Sequence, residues 1–127
     1  LEDNKIKNIV GQKFFENVVF LRSSNLKIGD KRIIDNKDAI TKLVAHYLVN
    51  EKNKKNLPVN DVCRFHLGNG ASIEDVIING NTTDYGYKES FGIMVNYIYK
   101  LDKLEKIHED YINHKKISYS DKIKKYV

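Results

Sequence analysis

With 127 residues, 41% hydrophobic and 31% charged, the chain is the size of one ordinary domain or part of one, with enough apolar material for a packed core. No apolar run approaches the roughly 20 residues that cross a bilayer, and the polar, charged residues 1–11 do not read as a secretory signal. The net charge of +5 lies toward the two ends, as lysines interleaved with Asn and Glu, so it describes a solvated surface better than a nucleic-acid or membrane patch.

Residues 5–22 are helical in character. Ile6, Ile9 and Val10 share one face, and Phe14, Phe15, Val18, Val19 and Leu21 form a second apolar set, with Gly11 breaking or bending the segment. Residues 23–37 are polar, contain Gly29 and read as a connection. The clearest helix covers 38–51, where Ile40, Leu43, Val44, Tyr47 and Leu48 fall at i, i+3, i+4, i+7 and i+8. Asn36 or Asp38 can cap its start. A charged loop follows from Glu51 and ends at Pro58, the only proline.

Residues 62–67 and 72–78 are short, apolar-rich runs on either side of Gly68-Asn69-Gly70. An Asn-Gly pair between two β-like runs is a strong hairpin signal, because both central positions of a type I′ turn need positive φ. The spacing therefore predicts a β-hairpin over 62–78 with Asn69 and Gly70 at its tip. Residues 79–90, with Gly80, Asn81, Thr82, Thr83, Asp84 and Gly86, read as a loop. Residues 91–99 predict a strand with Ile93, Val95, Tyr97 and Tyr99 on one alternating face. An amphipathic helix over 101–113 turns Leu101, Leu104, Ile107, His108, Tyr111 and Ile112 inward, and Ser118 or Ser120 caps a short final helix carrying Ile123 and Tyr126.

His66 stands out chemically. An imidazole gives or takes a proton near neutral pH, and this one sits two residues before a glycine-rich turn. On spacing alone, a strand histidine hydrogen-bonded for structure explains it better. Cys63, the single cysteine, excludes an intrachain disulfide and a Cys-rich zinc site, and fits a reducing compartment. Its apolar neighbours favour packing over nucleophilic chemistry. His46, His66, His108 and His114 have no partner histidine at i+3 or i+4, and no HExxH or CxxC spacing occurs, so no metal site is expected. Gly68-Asn69-Gly70 lacks the following Gly-Lys-Ser/Thr of a phosphate loop. Ser90 reads as a hydrogen-bond donor or a loop cap, and Tyr97 and Tyr99 as half-buried rings whose hydroxyls need partners.

Two motifs in order carry a more specific signal. The stretch Cys63-Arg64-Phe65-His66-Leu67-Gly68-Asn69-Gly70-Ala71, followed by Ser90-Phe91-Gly92-Ile93-Met94-Val95-Asn96-Tyr97, resembles the C-terminal signature of malonyl-CoA decarboxylases. That family shows a Phe-His-x-x-Asn-Gly-Ala stretch and then Ser-x-Gly-Leu-Met-x-Asn-Tyr at the same separation. The resemblance extends over about residues 38–127 well and over 1–37 loosely. It implies an α+β fold, the C-terminal portion of a GNAT-like (acyl-CoA N-acyltransferase-like) catalytic domain, with a hairpin and a further strand packed with helices. A helical domain and the first part of the catalytic domain would precede residue 1. The start at Leu1, with Met94 as the only methionine, leads to the same expectation of a longer protein.

The implied reaction, within a longer enzyme of fatty acid metabolism, is decarboxylation of malonyl-CoA to acetyl-CoA and CO2. It uses no metal or organic prosthetic group, the CoA thioester being the substrate. The resemblance makes His66 catalytic, with Asn69, Ser90, Asn96, Tyr97 and Tyr99 binding substrate or supporting the pocket. The family's second catalytic group is a serine expected in the preceding segment, along with most contacts to the CoA phosphates. The implied partners are malonyl-CoA, the missing N-terminal portion of the same enzyme and, as an open option, a second copy of the chain. No nucleic acid and no membrane is expected. A soluble intracellular protein, cytoplasmic or in an organellar matrix, fits, and Lys125-Tyr126-Val127 is not a Ser-Lys-Leu peroxisomal address. The family usually has an Asp-x-Ser-like element where this chain has Asn81-Thr82-Thr83, which removes one carboxylate. Two alternatives stay open: a non-catalytic remnant, and a GNAT-like acyl-CoA transferase or binding module. A nucleic-acid binder would rest on basic charge alone.

Overall fold

The structure, a computed structural model, describes residues 2–22, 31–83, 85, 90 and 92–127, with the backbone alone at 13, 20 and 22. Gly29, Asp84, Gly86 and Phe91, which figured in the expected loops and strand, lie outside the described residues. The chain divides into two compact units, Leu1–Val44 with Val76–Met94, and Ala45–Asp75 with Val95–Val127.

The first unit is helical. Helix α1 (Asp3–Val10) and helix α2 (Gln12–Arg22) are separated by Gly11, whose φ of 84° no ordinary side chain favours. Gly11 thus breaks the helical segment where the sequence indicated. Ile6, Val18 and Ala39 are buried together, with Val10, Phe15 and Leu43 packed against them. A second cluster joins Leu21, Ile33 and Ile40 to Val44, Ile78 and Ile93. Helix α3 (Lys31–Asp35) occupies part of the stretch expected to be a connection. Five residues form no stable helix by propensity. Here the fully buried Ile33 anchors the turn.

Helix α4 (Lys37–Asn50) follows and continues into the second unit. Its buried set differs from the expected stripe: Ile40 and Leu48 are buried with Ala39, Thr41, Ala45 and Val49, whereas Leu43, Val44 and Tyr47 are half-buried. Asn36 does not use its side-chain oxygen as a cap. Its amide donates instead to the Arg32 carbonyl at 2.7 Å.

In the second unit, residues 51–60 form a loop tied by Asn53, whose side-chain oxygen accepts from the backbone of Lys55 and Leu57. Helix α5 (Asp61–Gly68) comes next, so the first arm of the expected hairpin over 62–78 is not a strand. The physical reason is legible in hindsight. Asn60 caps the helix by accepting from the Cys63 N–H at 2.9 Å, Asp61 complements the helix dipole, and Cys63 and Leu67, four residues apart, are buried on one face. The Asn-Gly pair ends this helix rather than turning a hairpin. Gly70, at φ 91°, donates to the Leu67 carbonyl and Ala71 donates to the His66 carbonyl, which is the Schellman pattern. A Cβ at Gly70 would stand 2.6 Å from the Leu104 carbonyl oxygen, so close backbone approach adds a second demand for glycine.

Strand β1 (Ser72–Ile77) follows the helix and pairs with strand β2 (Met94–Ile98), giving a two-stranded antiparallel sheet among the described residues. β1 also takes a parallel bridge from Tyr119: Ile73 donates to the Ser118 carbonyl and accepts from the Ser120 N–H, both at 2.9 Å. Helix α6 (Leu104–His114) packs on α5. It buries Tyr111, but Leu101 precedes it and is 91% exposed, and Ile112 is exposed too, so neither belongs to the inner face expected of them. Ser120 caps helix α7 (Asp121–Lys124), which buries Ile123. The architecture is α+β.

Candidate active site around His66

His66 lies near the C-terminal end of α5 and is half-buried. Its ring stacks on that of Tyr97, with centroids 4.3 Å apart and planes 19° from parallel. Its Nδ1 shares a 2.6 Å hydrogen bond with the Tyr99 hydroxyl. Tyr97 and Tyr99 alternate along and just beyond β2, so one strand face presents both rings to one helix side chain. The edge of Phe65 meets the imidazole from α5 itself, with centroids 5.2 Å apart. Three aromatic neighbours therefore fix where this ring stands.

The Tyr97 hydroxyl lies near Cys63, whose thiol donates to the Leu48 carbonyl at 3.9 Å. Cys63 is fully buried, as its apolar neighbours suggested. Burial pushes the Cys63 thiol above its ordinary value, partly offset by the nearby Tyr97 hydroxyl and by the positive charges of Lys52 and Arg64. Burial, then the nearby Cys63, raises Tyr97. Both groups stay protonated at neutral pH. Lys52 moves the other way: burial lowers it, and Cys63 partly opposes that.

Two further residues hold α5 in place. The Arg64 guanidinium donates to the carbonyls of Pro58 and Val59 and to the Asp61 carboxylate, fastening the 51–60 loop to the helix. The His108 ring of α6 donates from Nδ1 to the Gly68 carbonyl at 2.6 Å. That carbonyl is one of the unpaired acceptors at a helix end. The sequence placed His108 on the inner face of its helix but gave no sign of this contact, since its partner lies forty positions away.

Within the second unit, Asn69 and Asn96 are not gathered with these three. Asn69 is the C-cap of α5, exposed at the end of the helix that carries His66. Asn96 is exposed and, by strand alternation, points to the face of β2 opposite Tyr97. Ser90 belongs to the first unit, where its hydroxyl donates to the Ile93 carbonyl at 3.3 Å. In the same unit Asn81 accepts from the Thr83 backbone and hydroxyl, closing a tight turn. Among the described residues no group of three or more His, Cys, Asp and Glu side chains is placed to hold a metal ion, and no helix is long and apolar enough to cross a membrane.

Comparison with known proteins points in one direction. Residues 3–127 match the family described as malonyl-CoA decarboxylase C-terminal domain. The mitochondrial malonyl-CoA decarboxylase of Anser anser anser is 34% identical over 88 residues, 69% of this chain and 17% of that protein. The mouse mitochondrial enzyme is 29% identical over 123 residues, 96% of this chain and 25% of that protein. Crystal structures of malonyl-CoA decarboxylases from Rhodopseudomonas palustris and Agrobacterium vitis superpose with TM-scores of 0.83 and 0.79, at 26% and 30% identity. They cover 98% and 91% of this chain but only 30% and 28% of their own. The chain thus spans a quarter or less of these two curated relatives, and its two motifs, its fold and its match over residues 3–127 place it in the malonyl-CoA decarboxylase family.

Proposed function

We propose that this chain supplies the catalytic histidine of a malonyl-CoA decarboxylase, which in complete form converts malonyl-CoA to acetyl-CoA and CO2. The observation that carries the reading is the clamp on His66, stacked on Tyr97 and bonded through Nδ1 to Tyr99. When the Tyr99 hydroxyl donates to Nδ1, the ring proton sits on Nε2. Among the described residues nothing bonds that nitrogen. An imidazole held by these contacts, with its Nε2 donor unbonded among the described residues, suits the chemistry. Breaking the bond from Cα to the carboxylate releases CO2 and leaves its electron pair on Cα and the thioester oxygen. Nε2–H can donate to that oxygen and then pass its proton to Cα, giving acetyl-CoA, with water restoring the ring proton. A positioned donor of this kind contributes about 3 kcal/mol to such a transition state.

The thioester is itself the electron sink, so the reaction needs no resident metal or prosthetic group. The second catalytic group, a serine in the resemblance, would belong to the rest of the enzyme, along with most of the CoA-phosphate site. A GNAT-like sheet belongs to the same proposal, as does a homo-oligomer. The names of the goose and mouse relatives support an organellar matrix as the place of action. The test is to give the complete enzyme carrying this chain malonyl-CoA in D2O. One CO2 should appear per acetyl-CoA, with a single deuteron entering the new methyl group. CO2 release no faster than the uncatalysed rate would overturn the proposal.

A further inference from the structure

The last four carbonyls of a helix have no partner inside it. In α5 these belong to Phe65, His66, Leu67 and Gly68. The first three are closed locally. The Asn69 N–H donates to the Phe65 and His66 carbonyls, the Ala71 N–H donates to His66 as well, and the Gly70 N–H donates to Leu67. Gly68 is closed from another element, by the His108 Nδ1 of α6 at 2.6 Å. A carbonyl only accepts, so a neutral His108 ring carries its proton on Nδ1. Leu104, His108 and Tyr111 follow one another by four and then three residues, a spacing that shares one helix face. Leu104 meets Gly70, where a Cβ would stand 2.9 Å from its Cγ, and the Tyr111 ring lies 3.8 Å from the place of a Cβ on Gly68. One face of α6 therefore grips the turn from Gly68 to Gly70, and His108 gives that grip a hydrogen bond with a fixed direction.

His66 stands in this last turn, two residues before Gly68. Its ring is held from the other side, by the Tyr97 stack at 4.3 Å and the Tyr99 hydrogen bond at 2.6 Å. Those contacts persist only while the end of α5 keeps its distance from the two tyrosines, because a hydrogen bond weakens steeply as it lengthens or bends. We propose that His108 is a positioning residue for the decarboxylation: through the Gly68 carbonyl it fixes the last turn of α5, and with it the place of the His66 imidazole. It acts through His66 and not on the substrate. The inference rests on the decarboxylase reading for the reaction it serves, whereas the anchoring of the helix end does not. Displacing a catalytic group by about 1 Å costs on the order of 10²-fold in rate. Loss of the His108 donor is therefore read in kcat, while KM hardly moves.

The test uses the complete enzyme carrying this chain. His108→Phe keeps a ring and deletes the donor, and His108→Asn keeps an N–H donor close to the position of Nδ1. His108 is exposed, so both variants should melt close to the parent. If His108→Phe does not fold, His108→Ala takes its place. In His108→Phe, kcat should fall at least about tenfold with KM within about twofold, and His108→Asn should restore most of kcat. In a His66→Ala background, His108→Phe should change the residual turnover by less than about twofold, because two groups acting through one step do not add. Unchanged kcat in His108→Phe, no rescue by His108→Asn, or the full loss repeated in the His66→Ala background would overturn the proposal. Amide hydrogen exchange without substrate reads the anchoring itself. Asn69, Gly70 and Ala71 should exchange at least about tenfold faster in His108→Phe than in the parent or in His108→Asn. Equal exchange would overturn the proposal whatever the turnover. A parent enzyme that releases no CO2 counts against the decarboxylase reading, and exchange then still decides whether His108 fixes this helix end.

Discussion

The two units bury different chemistry. The first closes its interior with aliphatic side chains at helical spacing, Ile6 and Val18 in one cluster, Leu21, Ile33 and Ile40 in the other. The second packs aliphatic side chains as well, Leu67, Ile73 and Ile123, but buries the Cys63 thiol and Tyr111 among them. Apolar packing tolerates small adjustments, whereas a buried hydroxyl or thiol is costly unless its partner stands in one place. The first unit should therefore respond to substitution through stability, and the second through the geometry and protonation of its site.

The largest effect should come from the first unit. Ile33 is fully buried, so Ile33→Ala is expected to cost about 2–5 kcal/mol, read by denaturant unfolding, with CO2 release per folded molecule unchanged. A loss of turnover in the fraction that stays folded would break the contrast. Next is Gly70→Ala, which forces a side chain onto a φ of 91° and against the Leu104 carbonyl. A cost of about 1–3 kcal/mol is expected, and a neutral result would remove the helix-ending role given to Gly70. Tyr99→Phe deletes only the hydroxyl that holds Nδ1. Turnover should fall by about tenfold, while the melting temperature hardly moves. Unaltered turnover would show that Tyr99 does not set the ring.

The smallest effect is the most specific to the second unit. Cys63 and Tyr97 are acids whose folded values are raised, so the native state holds their protons more tightly than the unfolded chain. Their contribution is complete below the ordinary thiol value of 9.0 and is lost as pH rises above it, with tyrosine joining from 10.0 upward. Unfolding free energy should decline from about pH 9, and in Cys63→Ala the decline should begin in the tyrosine range instead. Identical curves for parent and variant would show that the thiol does not titrate with folding.

Much of this was legible in the residues. The break at Gly11, the helix through Ile40 and Leu48, the alternation of Tyr97 with Tyr99, and the Ser120 cap all follow local rules and stand where those rules put them. The segment around His66 was misread because its signals compete. Val62-Cys63-Arg64-Phe65 looks β-like by composition, and Asn-Gly serves a hairpin tip or a helix end equally well. Asn60 three residues before Cys63, with Leu67 four after it, decided the matter through capping and burial. The site itself was half legible. His66 and both tyrosines were picked out, but their joining depends on a contact thirty-three positions apart. Asn96 was included for its place in the motif, and strand alternation turns it to the face of β2 opposite Tyr97.

The most direct measurement is turnover of malonyl-CoA by the complete enzyme carrying His66→Ala, alongside its melting curve. His66 is half-buried and its ring touches Phe65, Tyr97 and Tyr99, none of them fully buried, so the variant should melt close to the parent. Its turnover should fall by about 10²–10⁴, the share that a positioned proton donor contributes. A variant that folds and decarboxylates as fast as the parent would contradict the account, leaving the imidazole between the two tyrosines a structural group.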